Sequence, residues 1–333
     1  MTDAYQQIIT ALEASRHVLV TTHIRPDGDA LGSAAAMILA MRRKGIANEL
    51  LLLSHWPTKY AFLRDQLAIP CHDAEKAWPA GLDLQAFDAI MVVDTGTWSQ
   101  LPGLQERLDG FAGKKLVIDH HRTQESWADL KLVSTDAGAA GEIVAELLDR
   151  WQVPFDNEIA AALFIAITTD TGWFQFSNTR PYTLRLAARL LEAGVNMDDI
   201  YKRLYQAERR ERVRLQTRAM QSLELLAGGK LAVMTIRKVD FADTGASVPD
   251  TENLINVPMQ IGSVEVSMLI AEPIDFGPTR VSLRSKGAVD VSKFAERFGG
   301  GGHARAAGFT LQKDTANTHG VVVAAMVAEL GYA

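Results

Sequence analysis

Apolar residues follow two spacings along the first half of the chain. HVLVTT at 17–22, ELLLL at 49–53, DAIMVV at 88–93 and KLVI at 115–118 are short, nearly uninterrupted apolar runs, several of them β-branched. Such runs predict strands buried on both faces. Between and beyond them, Ala30 to Lys44, Ala139 to Arg150 and Glu158 to Thr168 predict helices. The alternation points to an α/β domain: a parallel sheet with helices on both faces, whose functional edge lies beyond the carboxyl ends of the strands. From Pro181 to about Leu226 the pattern is mostly helical, and residues 202–218 (KRLYQAERRERVRLQTR) are charged enough to predict one solvated connecting helix. Gly228-Gly229 breaks it. Strands at 231–236, 264–270 and 280–284, a helix at 290–298, a four-glycine run, a further short strand and a helix from about 316 then predict a second, smaller α/β domain. The expected boundaries are 1–192, a helical connector at 193–228, and 229–333.

The 333 residues suit two domains, at roughly 150 residues each. With 47% hydrophobic and 22% charged residues the chain has ordinary globular composition, which excludes disorder over most of its length. Acids outnumber bases 40 to 34, a net charge of −6. That excludes a broad basic surface gripping long nucleic acid, but not a compact site for a small anion. The single cysteine, Cys71, excludes an intrachain disulfide and a multi-cysteine zinc site. The N-terminal MTDAYQQIITALEASRH lacks the basic and apolar regions of a signal peptide. No apolar run approaches the ~20 residues that span a bilayer. A soluble cytoplasmic protein without membrane contact is the expectation.

Chemistry gathers at the ends of the predicted strands. His23-Ile24-Arg25-Pro26-Asp27-Gly28-Asp29 follows the first strand and opens a helix. Its imidazole and two carboxylates are ligand types for divalent manganese, zinc or iron, although Asp29 could serve simply as a helix N-cap. Asp94 ends the strand at 88–93, and Asp119-His120-His121 follows the strand at 115–118. Asp170 closes an apolar helix, where its charge opposes the helix dipole and calls for a cation nearby. Late in the chain Gly299 to Gly302, followed by His303, allow backbone N–H groups to approach an anion, and Arg284 offers a bidentate phosphate contact. Trp98 and Trp127 read as packing residues, and Trp173 as a candidate for lining the site. Four acids and two histidines suit two divalent ions, which make a shared water a nucleophile at neutral pH and clamp phosphate oxygens.

HIRPDGDALGS, VVDTG, IDHH and TTDTG, in that order, resemble the motifs of the DHH phosphoesterase superfamily. FGGGGHARAAG resembles its DHHA1 domain. The resemblance covers nearly the whole chain and is similar in length and domain pairing to the bacterial nanoRNase and pAp phosphatase group. Those enzymes hydrolyse short oligoribonucleotides, many dephosphorylate 3′-phosphoadenosine 5′-phosphate, and manganese is the usual metal. The resemblance implies a catalytic domain at 1–192 and a substrate-binding DHHA1 domain at 229–333. One Mn2+ would be held by His23, Asp27 and Asp94, and the other by Asp29, Asp94, His120 and Asp170, with a hydroxide bridging the two. His121 would face the scissile phosphate with Asp119 supporting it. Arg284, Gly300, Gly301, Gly302 and His303 would hold the substrate's other phosphate. Gln124 stands where the family often has Asn, which bears on substrate preference.

A short oligonucleotide or nucleotide is the expected substrate, with no track for a long strand, and a homodimer remains open. The alternatives are a phosphodiesterase for linear or cyclic dinucleotides, which would use the same residues, and a non-catalytic nucleotide- or RNA-binding module. The second is disfavoured because all six candidate metal ligands are present.

Overall fold

Successive residues of the central strands serve different cores. Val18 and Val20 pack beneath helices, whereas Leu19 between them joins Leu51, Ile90, Val92 and Val117 in a separate cluster. Neighbouring strand residues point to opposite faces, so uninterrupted apolar runs mark a sheet covered on both sides. The computed structural model describes residues 3–68, 70–272, 277–312 and 314–332, except the side chains of Gln66, Leu67 and His303. It divides into two units, Met1–Ala207 and Glu208–Ala333.

The first unit holds strands β1 (His17–Thr22), β2 (Ala47–Leu52), β3 (Cys71–Asp73), β4 (Ala89–Val93), β5 (Lys114–Asp119) and β6 (Leu130–Val133). All pair in parallel, in the order β3-β2-β1-β4-β5-β6. Its helices are α1 (Ala4–Glu13), α2 (Gly28–Arg43), α3 (Ala61–Leu67), α4 (Ala140–Arg150), α5 (Asn157–Asp170), α6 (Pro181–Glu192) and α7 (Met197–Tyr205). The two faces of the sheet are covered differently. Helices α1, α2, α4 and α5 supply the larger core, while Leu82, Leu84, Leu101, Leu104 and Phe111 seal the other face from short turns. Pro79, Gly81, Pro102, Gly103 and Gly110 interrupt that segment too often for a long helix. Helices α2 and α5 pack closely because Gly28 and Gly32 carry no side chain. A Cβ on Gly32 would lie 2.4 Å from the Ala162 carbonyl oxygen, and one on Gly28 2.4 Å from Thr169 Oγ1.

The second unit holds α8 (Arg210–Gln221), β7 (Glu224–Leu226), β8 (Leu231–Ile236), α9 (Lys238–Thr244), β9 (Val266–Ala271), β10 (Thr279–Ser285), α10 (Val291–Glu296), β11 (Gly301–His303), β12 (Ala306–Leu311) and α11 (Thr315–Glu329). The strands lie in the order β11-β12-β10-β9-β8-β7, with only the β8/β9 pair parallel among the described residues. Helices α10 and α11 cover one face, and α8 and α9 pack on the other.

The charged stretch 202–218 is two helices rather than one. It breaks between Tyr205 and Arg210 because each side buries its own apolar pair. Ile200 and Leu204 enter the core of the first unit, and Leu215 and Ala219 that of the second. Among the described residues, no helix is long and apolar enough to cross a membrane.

Candidate metal centre

The strand order opens a crevice above β1 and β4. From β1 the chain moves outward to β2 and β3, and β4 returns on the other side of β1. Loops leaving β1 and β4 therefore part in opposite directions, which is where ligands sit in open α/β sheets. His23 leaves β1 there and Asp94 leaves β4. The N-cap of α2 is Asp27 rather than Asp29, accepting from the N–H groups of Asp29 at 3.0 Å and Ala30 at 3.1 Å. The cap satisfies donors the helix leaves open and turns Asp29 inward, where it is 1% exposed. The close α2/α5 contact brings Asp170, at the end of α5, to the same place. Asp94 sits at φ +65°, a left-handed conformation costly for a non-glycine residue. Its N–H donates to the Ile118 carbonyl at 2.8 Å, which holds it there.

Asp94 is the centre of the group. One oxygen lies 3.5 Å from His23 Nε2 and the other 3.4 Å from His120 Nε2. His23 Nε2 is also 4.0 Å from Asp27, and His120 Nε2 is 3.7 Å from both Asp29 and Asp170. In each histidine the other nitrogen is engaged by a backbone carbonyl, of Ile24 at 3.0 Å and of Ala137 at 3.2 Å. A carbonyl partner makes Nδ1 the donor and leaves the Nε2 lone pair for a metal. Two sets, His23-Asp27-Asp94 and Asp29-His120-Asp170, each place their ligand atoms within 4.8 Å of one another.

The cluster calls for positive charge. Burial, reinforced by Asp94, pushes the carboxyls of Asp27 and Asp29 above their ordinary range, and burial takes Asp170 up to about 6. Burial acts the same way on Asp94, but the His120 and His23 imidazoles outweigh it and bring it to about 2. Burial would lower both histidines; facing Asp94 and its neighbours, they rise instead to about 9 for His23 and about 10 for His120. Asp94 Oδ1 is buried with no hydrogen-bond partner. Four carboxylates and two imidazoles aimed inward, one carboxylate oxygen left without a donor, fit a divalent cation better than a set of ion pairs.

His121 differs from His120. Its side chain is 53% exposed against 13%, and its Nδ1 donates to Asp119 at 2.8 Å. Although that nitrogen lies 3.8 Å from Asp94, its bond to Asp119 removes it from the ligand set, and Nε2 is left for another partner. Fully buried Asp119 also accepts from the N–H groups of His120 and His121 and from Gln124 Nε2. Gly96 makes room for the Gln124 side chain, since a Cβ there would overlap its amide. Trp98 and Trp127 stack on each other at 4.5 Å and pack on the core, whereas Trp173 sits against Phe164, Tyr201 and Tyr205.

In the second unit, Arg284 lies on β10, half-buried, its Nη1 donating to the Leu283 carbonyl at 3.1 Å. Among the described residues no carboxylate pairs with it; burial, and Arg280 nearby, lower its pKa. The glycine run is a strand partner rather than a free loop. Gly301 to His303 pair with β12, and a Cβ on Gly300 or Gly302 would strike the backbone of Gly308 or Ala306. Only Gly301 faces open space among Gly300, Gly301 and Gly302. His303 takes a place opposite Ala306, as Arg284 does from the other side; its side chain lies outside the described residues. The sequence pattern missed the partners that hold the cluster: the Ala140 and Gly141 N–H groups and Ser33 Oγ on Asp29, and Asn178 beside Asp170. Backbone donors leave no trace in side-chain identity.

A parallel α/β sheet carrying a carboxylate–imidazole cluster at its switch point has the layout of a metal-centred enzyme. Residues 17–167 match the DHH family, N-terminal domain, and residues 228–326 the DHHA1 domain. The bifunctional oligoribonuclease and PAP phosphatase NrnA of Thermus thermophilus is 30% identical over 306 residues, 92% of this chain and 87% of that protein. The chain belongs to the DHH family. The fold is shared with an exopolyphosphatase-related protein of Bacteroides fragilis, at TM-score 0.89 and 21% identity, over 98% of this chain and 97% of that one. Exonuclease RecJ bound to manganese is more distant, at TM-score 0.54 and 15% identity, over 98% of this chain and 93% of that one.

Proposed function

We propose that this protein is a cytoplasmic two-metal phosphoesterase that hydrolyses short oligoribonucleotides, 3′-phosphoadenosine 5′-phosphate, or both, with Mn2+ as its metal. The observation that carries the reading is Asp94, whose two oxygens face one histidine each, so that a single carboxylate joins both ligand sets. His23, Asp27 and Asp94 would hold one ion, and Asp29, Asp94, His120 and Asp170 the other. Two divalent ions supply Lewis-acid activation of water and neutralise phosphate charge. The chain's own residues do the rest. His121, whose bond to Asp119 raises its pKa and favours the ring with both protons, donates from Nε2 to the phosphate as negative charge develops there. In the DHHA1 unit, Arg284 offers the substrate's other phosphate a charge with no carboxylate partner among the described residues, with Gly300 to Gly302 and His303 on the far side of β12. The 30% identity to a relative named for both activities supports the substrate class, and the RecJ neighbour bound to manganese supports the metal.

The test is a turnover assay of the full chain with Mn2+, offering 3′-phosphoadenosine 5′-phosphate, an RNA dinucleotide, a five-residue RNA, a cyclic dinucleotide and pyrophosphate. Fastest turnover on either of the first two supports the reading. Preference for the cyclic dinucleotide or for pyrophosphate overturns it.

A further inference from the structure

One short segment bonds to two members of one ligand set, His120 and Asp29, and reaches a third, Asp170, through Asn178. The Ala137 carbonyl accepts from His120 Nδ1 at 3.2 Å. The Gly138 carbonyl and the Asp170 carbonyl both accept from Asn178 Nδ2, at 2.9 and 3.1 Å. The N–H groups of Ala140 and Gly141, at the start of α4, donate to the two oxygens of Asp29 at 2.6 and 2.9 Å. Glu142, 2% exposed, is gripped in turn by Arg180 and Thr183, so the segment is tied down from behind. Gly138 has no room for a side chain, because a Cβ would lie 2.7 Å from the Asn178 carbonyl oxygen. None of these bonds reaches the other set. His23 leans on Ile24, Asp27 caps its own helix, and Asp94 is held by Ile118.

We infer that residues 137–142, together with Asn178, form a clamp serving one metal position only, that of Asp29, His120 and Asp170, so that the two positions can be weakened separately. This rests on the two-ion reading above. Asn178 is a positioning residue: it fixes the backbone at Asp170 to the same segment that fixes His120 and Asp29. Losing such an outer partner typically lowers metal affinity by about 10- to 100-fold.

Calorimetric titration of Mn2+ into the metal-stripped full chain tests this. The unsubstituted protein should show two binding events. Asn178→Ala should weaken one by about tenfold or more and leave the other within twofold, with the far-UV spectrum of the metal-free protein unchanged. His23→Ala should abolish the event that survives in Asn178→Ala. Thr183→Val, which loosens Glu142 from outside the cluster, should weaken the same event as Asn178→Ala by a smaller factor, and it carries the test should Asn178→Ala not fold. Equal weakening of both events, or of neither, overturns the clamp. A single event in the unsubstituted protein overturns the two-ion reading itself.

Discussion

Two groups of histidine and carboxylate stand at the carboxyl edge of the same sheet. His55, Asp73 and Glu75 have the right atom types within reach, with His55 Nδ1 at 3.3 Å from Asp73 and 3.9 Å from Glu75. Their side chains are 70%, 47% and 46% exposed. The cluster around Asp94 uses the same chemistry, but Asp94 and Asp29 are buried, and backbone carbonyls and helix N–H groups aim its members. Water reaches the first group, whose side-chain hydrogen bonds, among the described residues, are confined to itself, His55 to Asp73 and the Glu75 N–H to Asp73. The second has already lost its hydration and is held in place. Proximity of ligand types is therefore a weak criterion for a metal centre; burial together with outside support is the stronger one.

The largest test of that contrast is Asp94→Ala. It removes the carboxylate shared by both sets, so Mn2+ binding at both positions and hydrolysis should fall by more than the roughly 100-fold that loss of an outer partner can cost. Mn2+ titration and turnover would show it, and near-normal turnover would break the comparison. Next comes pH. His23 and His120 have pKa values raised to about 9 and about 10 in the metal-free protein, and each must lose its proton to bind a metal. Each ion displaces one of these protons, so Mn2+ affinity at each position should rise with pH by up to about tenfold per unit below pH 9. An affinity flat between pH 6.5 and pH 8.5 would contradict this. Third, Gly32→Val presses a side chain into α5 beside Ala162 and should cost about 1–3 kcal/mol of stability, read as a lower denaturation midpoint and looser Mn2+ binding. Last, His55→Ala should leave Mn2+ affinity and turnover unchanged. A measurable loss there would make exposure a poor guide.

Much of this was legible in the sequence, for identifiable reasons. Strands β1 and β4 are buried on both faces, so their apolar runs stood out and fixed where His23 and Asp94 emerge. Short edge strands such as β3 (CHD) and β7 (ELL) carry too few residues for any periodicity. The break at residues 206–209 hid in charge, because both flanking helices are exposed over most of their surface. The glycine run was legible as a close approach, but part of what approaches is the protein's own strand: Gly300 and Gly302 abut β12. The clamp at residues 137–142 was illegible because most of its contacts come from the backbone, and Asn178 gains its meaning only when Gly138 is folded beside it.

The cluster's members are spread from His23 to Asp170, on four separate stretches of chain. A divalent ion bound there would stabilise the folded chain alone, by mass action, because its ligands come together only once segments far apart in sequence have met. A chain emerging from the ribosome therefore has no complete site until α5 has been made and docked onto α2. Metal capture would then report that the sheet and α5 have come together, before α6 and α7 need be in place.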